Sequence, residues 1–547
     1  MRLLRRQPRA HGSLGRRFSR ALLVAALLDA GCSCGDAPPS ATPAEIAAAV
    51  QPPPQPAAPA PAAPKLPGER LRIHDPGDLA AYASGLVAVR DLDLALSGVD
   101  RVDLAVAEEG ADPCRDLDLR DLARRLPNLE RLRISGCQAA VHAGLDAFAE
   151  LRDLELVDLV LDGVTMGRLL ALPKLQALRL TRVTPGSEST TLLRGLGIDR
   201  LALRELAGDS PLIALVGLLP KLRAVELHGA WAGHKAMIQL AKAERLRALT
   251  LRDTDVSNFS LNQIKGLSRL REVELRGSAF NDKTPLYFRE LPVRSFTCAC
   301  PNLGEAGLRA LRHLSELRRL ELLSSRLGPG ALEGLADLEA LEALIFYGDE
   351  LGAAGFAALA ALKGLRELHL EIDVDDLRDP RLTGLGELAG LRRLTLHSPL
   401  LDDRITPQLR QLHALEELDL SGTAISDATL DALREMPELR RLRLHHTRVT
   451  NRGLANLSGL HKLEVLELDH TDVVDAGVAH LAGLRALREL RLDSTLVTDQ
   501  SLETVAGLEG LERLNLADTV VTTAGVEKLG KLERLQSVNL AGTRARR

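Results

Sequence analysis

The chain has 547 residues, 45% hydrophobic and 26% charged, with a formal charge of −4. That much apolar material excludes a wholly disordered chain, and the mildly acidic balance excludes the basic footprint that nucleic-acid binding requires. Aromatic residues make up only 2%, so any partner is held largely without the side chains that usually anchor tight interfaces.

Residues 1–31 read as an export signal. The first 20 residues carry seven Arg and no acid, and the apolar run Ala21–Leu28 comes next, then Asp29, Ala30, Gly31 and Cys32. The apolar run is too short to cross a bilayer permanently, and small residues close it as at a cleavage point. Gly31-Cys32 resembles the cleavage point of bacterial lipoproteins, which implies Cys32 as a lipidated first mature residue; Asp29 departs from the apolar residue usual in that pattern. Removal of the signal leaves 63 basic against 73 acidic residues, a formal charge of −10.

Residues 32–69 are a Pro- and Ala-rich linker with almost no large apolar side chain, unable to bury a core. Extended at about 3.1 Å per residue, it holds the remainder of the chain up to roughly 100 Å from an anchor. Residues 70–98 carry two irregular strand-like runs around one helical stretch. They read as an N-terminal cap, because a stack of repeats needs an atypical end unit over its first core layer.

From Val99 a repeated unit takes over, loosely at first, beginning at Val99, Leu129, Leu151, Leu175, Ile198, Leu222, Leu246, Leu270, Val293, Leu317, Leu341, Leu365 and Leu391. Two units are long. One inserts EEGADPCRD after Val99, the other the acidic EIDVDDLRD after Leu365, and extra residues in a repeat stack go to loops. The period then locks at 24 residues from Leu415 through Leu439, Leu463, Leu487, Leu511 and a truncated Leu535 unit. Each unit opens with L-x-L alternation, a half-buried strand. Its later apolar residues fall three apart, as on one face of a short helix.

That recurring strand, turn and helix resembles the leucine-rich repeat family, in a form with Thr at the ninth position. The resemblance implies an α/β solenoid (horseshoe) with a concave parallel β-sheet and short convex helices, about 18 units plus the truncated one over 99–547. It also implies a concave face that usually binds another macromolecule. The family shares an architecture and no single activity.

Within the Leu463 unit, Leu463, Leu466, Leu468, Val473, Val478, Leu481 and Leu484 are expected to point inward. Thr423, Thr447, Thr471, Thr495, Thr519 and Thr543 occupy the ninth position, where the chain leaves the strand. Their hydroxyls are expected to reach the neighbouring coil and form a structural ladder, unless Thr is there only for its β geometry. Ser426-Asp427, Thr450-Asn451 and Thr498-Asp499 are read as helix caps, with an acid near the positive end in two of the three.

The strand face presents positions three, five and seven. Arg443, Glu467 and Arg491 succeed one another at position five, and Glu417, Arg441, Val465, Glu489 and Arg513 at position three. Opposite charges side by side make either a self-neutralised surface or a polar platform for a protein or glycan. The candidate binding residues on this face are Arg443, Glu467, Arg491, His445, Asp469, Asp493, His397 and Tyr347. His369, His397, His445, His446 and His470 cluster nearby. Stacking is expected to bring His446 beside His470 and His445 beside Asp469, within range of shared metal ligation or a pH-sensitive contact, though histidines on a repeat surface are commonly incidental. No metal or cofactor is assigned. Asp373, Asp375, Asp376 and Asp379, with Asp349 and Asp402–Asp403, form an acidic stripe that is either a calcium site or a solvated loop.

Of the six cysteines, Cys114 and Cys137 are a candidate disulfide, closing a loop of about twenty residues and stabilising by about 3 kcal/mol. Cys298 and Cys300 lie on a strand without redox spacing and are expected to fill core. GVEKLGKL at 525–532 imitates a phosphate-binding loop but ends in Leu within a repeat's helix. With no hydrolase or metalloprotease motif, the chain reads as a non-catalytic binding scaffold of the cell envelope. It would be monomeric, with a lipid anchor as its one membrane contact and a protein or surface polymer as its unidentified partner. The alternative is an intracellular or delivered adaptor resembling F-box leucine-rich repeat receptors of ubiquitin ligases, which the signal-like start opposes.

Overall fold

In a computed structural model of the protein, residues 71–73, 101–105, 118–187, 194–208, 210–323, 331–348, 353–372, 382 and 384–545 are described. The signal, Cys32, the linker, most of the cap and the insertion carrying Cys114 lie outside them. The chain divides into two units, Met1–Pro64 and Lys65–Arg547, and the repeats all belong to the second.

Among the described residues the main sheet of that unit has 20 strands, each parallel to the next. Leu71–Ile73 pairs with Arg101–Ala105, that strand with Arg131–Ser135, and so on coil by coil to Ser537–Asn539. Parallel neighbours need a crossover, and most of the described crossovers hold a turn of α- or 3-10 helix, such as Asp427–Leu433 or Lys528–Lys531. The leucine-rich repeat solenoid expected from the period is therefore the fold. Leu418, Leu442, Leu466 and Leu490 are successive partners in register, so the leucine of each coil packs on its equivalents.

The core fills the space between sheet and helices. In the Leu463 coil all seven expected inward residues have 0% exposure. The largest fully buried side chains include Phe280, Phe288, Phe296 and Phe346, half of the eight Phe in the chain. All four precede the run of coils that begins at Leu415, and Phe288 meets Phe296 edge-on at 5.9 Å. The few aromatics are thus spent largely on filling the core.

Strand exit is set by one backbone position. Gly422, His446, His470, Ser494, Asp518 and Gly542 all have left-handed φ, between 53° and 72°. Gly adopts that region at no steric cost, and Asn, Asp and His tolerate it better than branched residues. The chain bends there, and the next residue is the ninth-position Thr.

The expected Thr ladder is corrected by the hydrogen bonding. Each hydroxyl donates within its own coil, to the carbonyl three residues back: Thr423 to Leu420, Thr447 to Leu444, Thr471 to Leu468, Thr495 to Leu492, Thr519 to Leu516 and Thr543 to Leu540, at 2.5–2.7 Å. The bend turns that carbonyl inward within reach of the side chain, so the bond is local.

The bonds that do tie coils together lie at the helix starts. Asp403, Asp427, Asp475 and Asp499 each accept from the backbone N–H and hydroxyl of Ser426, Thr450, Thr498 and Thr522 in the next coil. Asn451 accepts from Val474 N–H in the same way. Ser426 and Thr450 also cap their own helices, as expected. The acids read as dipole partners are thus the rungs that join one coil to the next.

Candidate functional site

Side chains on the sheet face run in columns because the strands stay in register. One column is Glu321, Ile345, His369, Thr395, Asp419, Arg443, Glu467, Arg491 and Asn515. A second holds Leu323, Tyr347, Glu371 and His397. A third alternates Arg319, Ala343, Glu367, Arg393, Glu417 and Arg441.

The third column is self-neutralised. Arg441 reaches Glu417 at 2.7 Å, Arg513 reaches Glu489 at 2.6 Å, and Glu367 takes Arg393 at 2.7 Å and Arg319 at 3.2 Å. These are partly exposed pairs, worth little to stability individually, but they cancel the charge along this edge.

Along the first column lies a depression of about 360 Å³, lined by His369, Asp419 and Arg443 of that column, by Tyr347 of the second and by Arg319 and Arg393 of the third. Tyr347 meets the His369 ring at 5.0 Å, and His369 meets His397 at 5.8 Å. His397 Nε2 lies 3.3 Å from Asp419 Oδ1, and Asp419 accepts from Ser421 N–H at 3.0 Å. Arg443 continues the band, 3.8 Å from Asp419 and 3.0 Å from Glu467.

These neighbours set the charge states. Burial works to raise the Asp419 carboxyl, but the contacts with His397 and Ser421 outweigh it and hold it at about 2. The same carboxylate raises His397 above its ordinary value, against the effect of burial. Burial, and then the charge of His397, push His369 down. Two adjacent imidazoles therefore favour opposite protonation states near neutrality. Among the described residues neither bonds to a hydroxyl or thiol, so the arrangement offers charge and hydrogen bonds and no activated nucleophile.

The sequence-derived candidates divide into two groups. Tyr347, His397 and Arg443 border or adjoin the depression, with Glu467 next to Arg443. Farther along, Arg491 lies 3.5 Å from Asp469 and 3.6 Å from Asp493. His446 and His470 stack as expected, with centroids 4.2 Å apart and planes within 10°. Asp469 also converges with His470 and Asp493, and the ring of His445 meets that of His446 at 5.6 Å. Asp419 is not among the candidates that the sequence singles out, because its contact with His397 runs diagonally from position seven of one coil to position five of the next.

Of the acidic stripe, only Asp402 and Asp403 are described. Asp402 is taken up by Arg404 and Asp403 by Ser426 and Thr429, so this part is hydrogen-bonded structure. Cys298 and Cys300 are buried as expected, but they form a disulfide with each other, Cα atoms 5.3 Å apart. Alternate strand residues share a face, which brings the two sulfurs to the same side. Cys137 is disulfide-bonded, and its expected partner Cys114 lies outside the described residues.

No family model matches this chain, and no curated protein matches it. Among solved structures it is similar to an internalin from Listeria monocytogenes at 17% identity, over 60% of this chain and 83% of that one, TM-score 0.39. It is similar to a leucine-rich repeat protein of Leptospira interrogans at 18% identity, over 71% and 88% of the two chains, TM-score 0.43. The mouse RP105/MD-1 complex matches at 15% identity, over 82% and 86%, TM-score 0.45. Likeness at this level is of fold and carries no partner across.

Proposed function

We propose that the protein is a non-catalytic scaffold that binds another protein or a surface polymer on its sheet face, centred on the depression beside Tyr347. One observation supports this above others. Tyr347, a partly exposed aromatic side chain, lines that depression together with His369 and Asp419, both of which meet His397 beside it, while the charged residues of the third column that also border it are paired off within their own column. A small apolar anchor ringed by polar groups is what interfaces place at their centre. A photo-crosslinking side chain at Tyr347 in the full chain should capture a discrete partner, whereas one at Arg410 on the helix side should not. Equal capture from both positions, or none at Tyr347, removes the reading.

The signal-like residues 1–31, Cys32 and the linker support placement in the cell envelope, tethered by lipid, with Cys114 bridged to Cys137. Metabolic labelling with palmitate tests the tether. Cys32→Ala should lose the label and leave the membrane fraction, and an unlabelled full-length chain in the cytoplasm would end the proposal.

A further inference from the structure

Near the far end of the sheet, three side chains converge that the depression does not use. One ligand atom from each of Asp469, His470 and Asp493 lies within 4.8 Å of the others. Consecutive residues of a straight strand point to opposite faces. Here φ of 55° at His470 turns the chain, so Asp469 and His470 address one point, and Asp493 meets them from the next coil.

Asp469 is 5% exposed, and its Oδ1 has no hydrogen-bond partner. The nearest cation is Arg491, whose Nε stands 3.5 Å from Asp469 and 3.6 Å from Asp493. That is too long for a good hydrogen bond, and this Nε is itself buried without a partner. The same guanidinium also faces Glu467 at 3.8 Å, but Glu467 has Arg443 at 3.0 Å and Asp493 accepts from Asn515 Nδ2 at 2.5 Å, which leaves Asp469 Oδ1 as the oxygen without a hydrogen bond. A buried carboxylate left with so little compensation is costly, and a cation drawn into the cluster supplies what is missing.

We propose that Asp469, His470 and Asp493 bind a divalent transition-metal ion of the zinc class. The inference is independent of the binding face proposed above. One imidazole and two carboxylates suit zinc, cobalt or nickel, whereas calcium seeks six or more oxygens and no imidazole. Three protein ligands leave a fourth position for water, as in an open zinc site. Metal bonds of about 2.0–2.2 Å require the ligand atoms to close to roughly 3.3 Å, a contraction that side-chain rotation and withdrawal from Arg491 allow. His446, stacked on His470 at 4.2 Å, holds that ring in one plane as an outer-shell partner.

Equilibrium dialysis of the full chain against zinc chloride tests this, with visible absorption of the cobalt(II) form as a second readout. The expected result is an ion bound at micromolar or lower concentration that depends on these residues. His470→Ser and Asp493→Ala install what the next coil carries at the same positions, Ser494 and Ala517, so both variants should keep the fold. Each should weaken binding at least about tenfold and bleach the cobalt bands. A folded wild-type chain that takes up no zinc overturns the proposal. Zinc retained by the double variant also overturns it, since the ion is then held elsewhere. Capture of a lysine-rich peptide without zinc assigns the cluster to a basic partner and overturns it too.

Discussion

His397 Nε2 approaches Asp419 Oδ1 to 3.3 Å across neighbouring strands, and the same imidazole lies 5.8 Å from His369. The carboxylate raises His397 from its ordinary 6.5, while burial and then the His397 charge lower His369. A raised histidine contributes stability that is complete below the unfolded value and lost as pH rises through the folded one. A lowered histidine acts in the opposite sense, costing stability as pH falls through the unfolded value. The first effect acts above 6.5 and the second below it, so between about pH 7.5 and 5.5 the melting temperature of the wild type should pass through a shallow maximum near 6.5. Asp419→Asn removes the support for His397, leaving two imidazoles that both resist charge. Its melting temperature should fall on acidification, and a variant that tracks the wild type across this range would show the pair to be uncoupled.

The inter-coil acids should matter more than their partly exposed positions suggest. Asp475 accepts from Thr498 N–H, Thr498 hydroxyl, Ser501 N–H and Ser501 hydroxyl. Asp475→Ala leaves these donors without that acceptor, at roughly 1–3 kcal/mol for each one that stays buried and unsatisfied. Asp475→Asn should cost less, because Asn451 occupies the equivalent position and still accepts from Val474 N–H. Urea denaturation of the three proteins should rank them wild type, Asn, Ala.

The local bond of the ninth-position Thr has a different signature. Thr471 is 6% exposed and donates to Leu468 O at 2.5 Å. Thr471→Val keeps shape and β-branching but strands that carbonyl, at about 1–3 kcal/mol. Thr471→Ser keeps the hydroxyl and should lose well under half as much. Equal losses would mean that the methyl group, and not the hydrogen bond, selects Thr at this position.

These two cases mark how far the sequence can be read. The leucine period determines which residues face inward because a strand joined to a short helix leaves one way to bury them, and Leu442, Leu466 and Leu490 lie where the pattern puts them. Which polar atom meets which is decided by the turn after the strand. A φ of about 55° at His470 is invisible in a column of letters, yet it directs Thr471 back onto its own coil and brings His470 to the same point as Asp469 and Asp493. The His397–Asp419 contact is hidden for a related reason, since a diagonal contact links two different positions of the repeat. Cys298 and Cys300 are legible as buried, but whether two facing thiols stay reduced or join is a matter of distance that spacing alone does not give.

The core itself gives the last test, because a stack of coils distributes the effect of a cavity by position. Leu466 is fully buried, with Leu442 and Leu490 beside it in register. Leu466→Ala should cost about 2–5 kcal/mol, since neighbours held on both sides cannot collapse into the space. Val538 occupies the equivalent core position in the last described coil but is only partly buried. Val538→Ala removes less surface from contact and opens little cavity, so its loss should be under about 1.5 kcal/mol. Stability rests on nearest-neighbour interfaces, so hydrogen exchange should show the Leu466 variant loosened in the Leu439, Leu463 and Leu487 coils while Leu151 and Leu175 keep their protection. Uniform loss along the whole stack would mean that the solenoid unfolds as one cooperative block and that position within it counts for little.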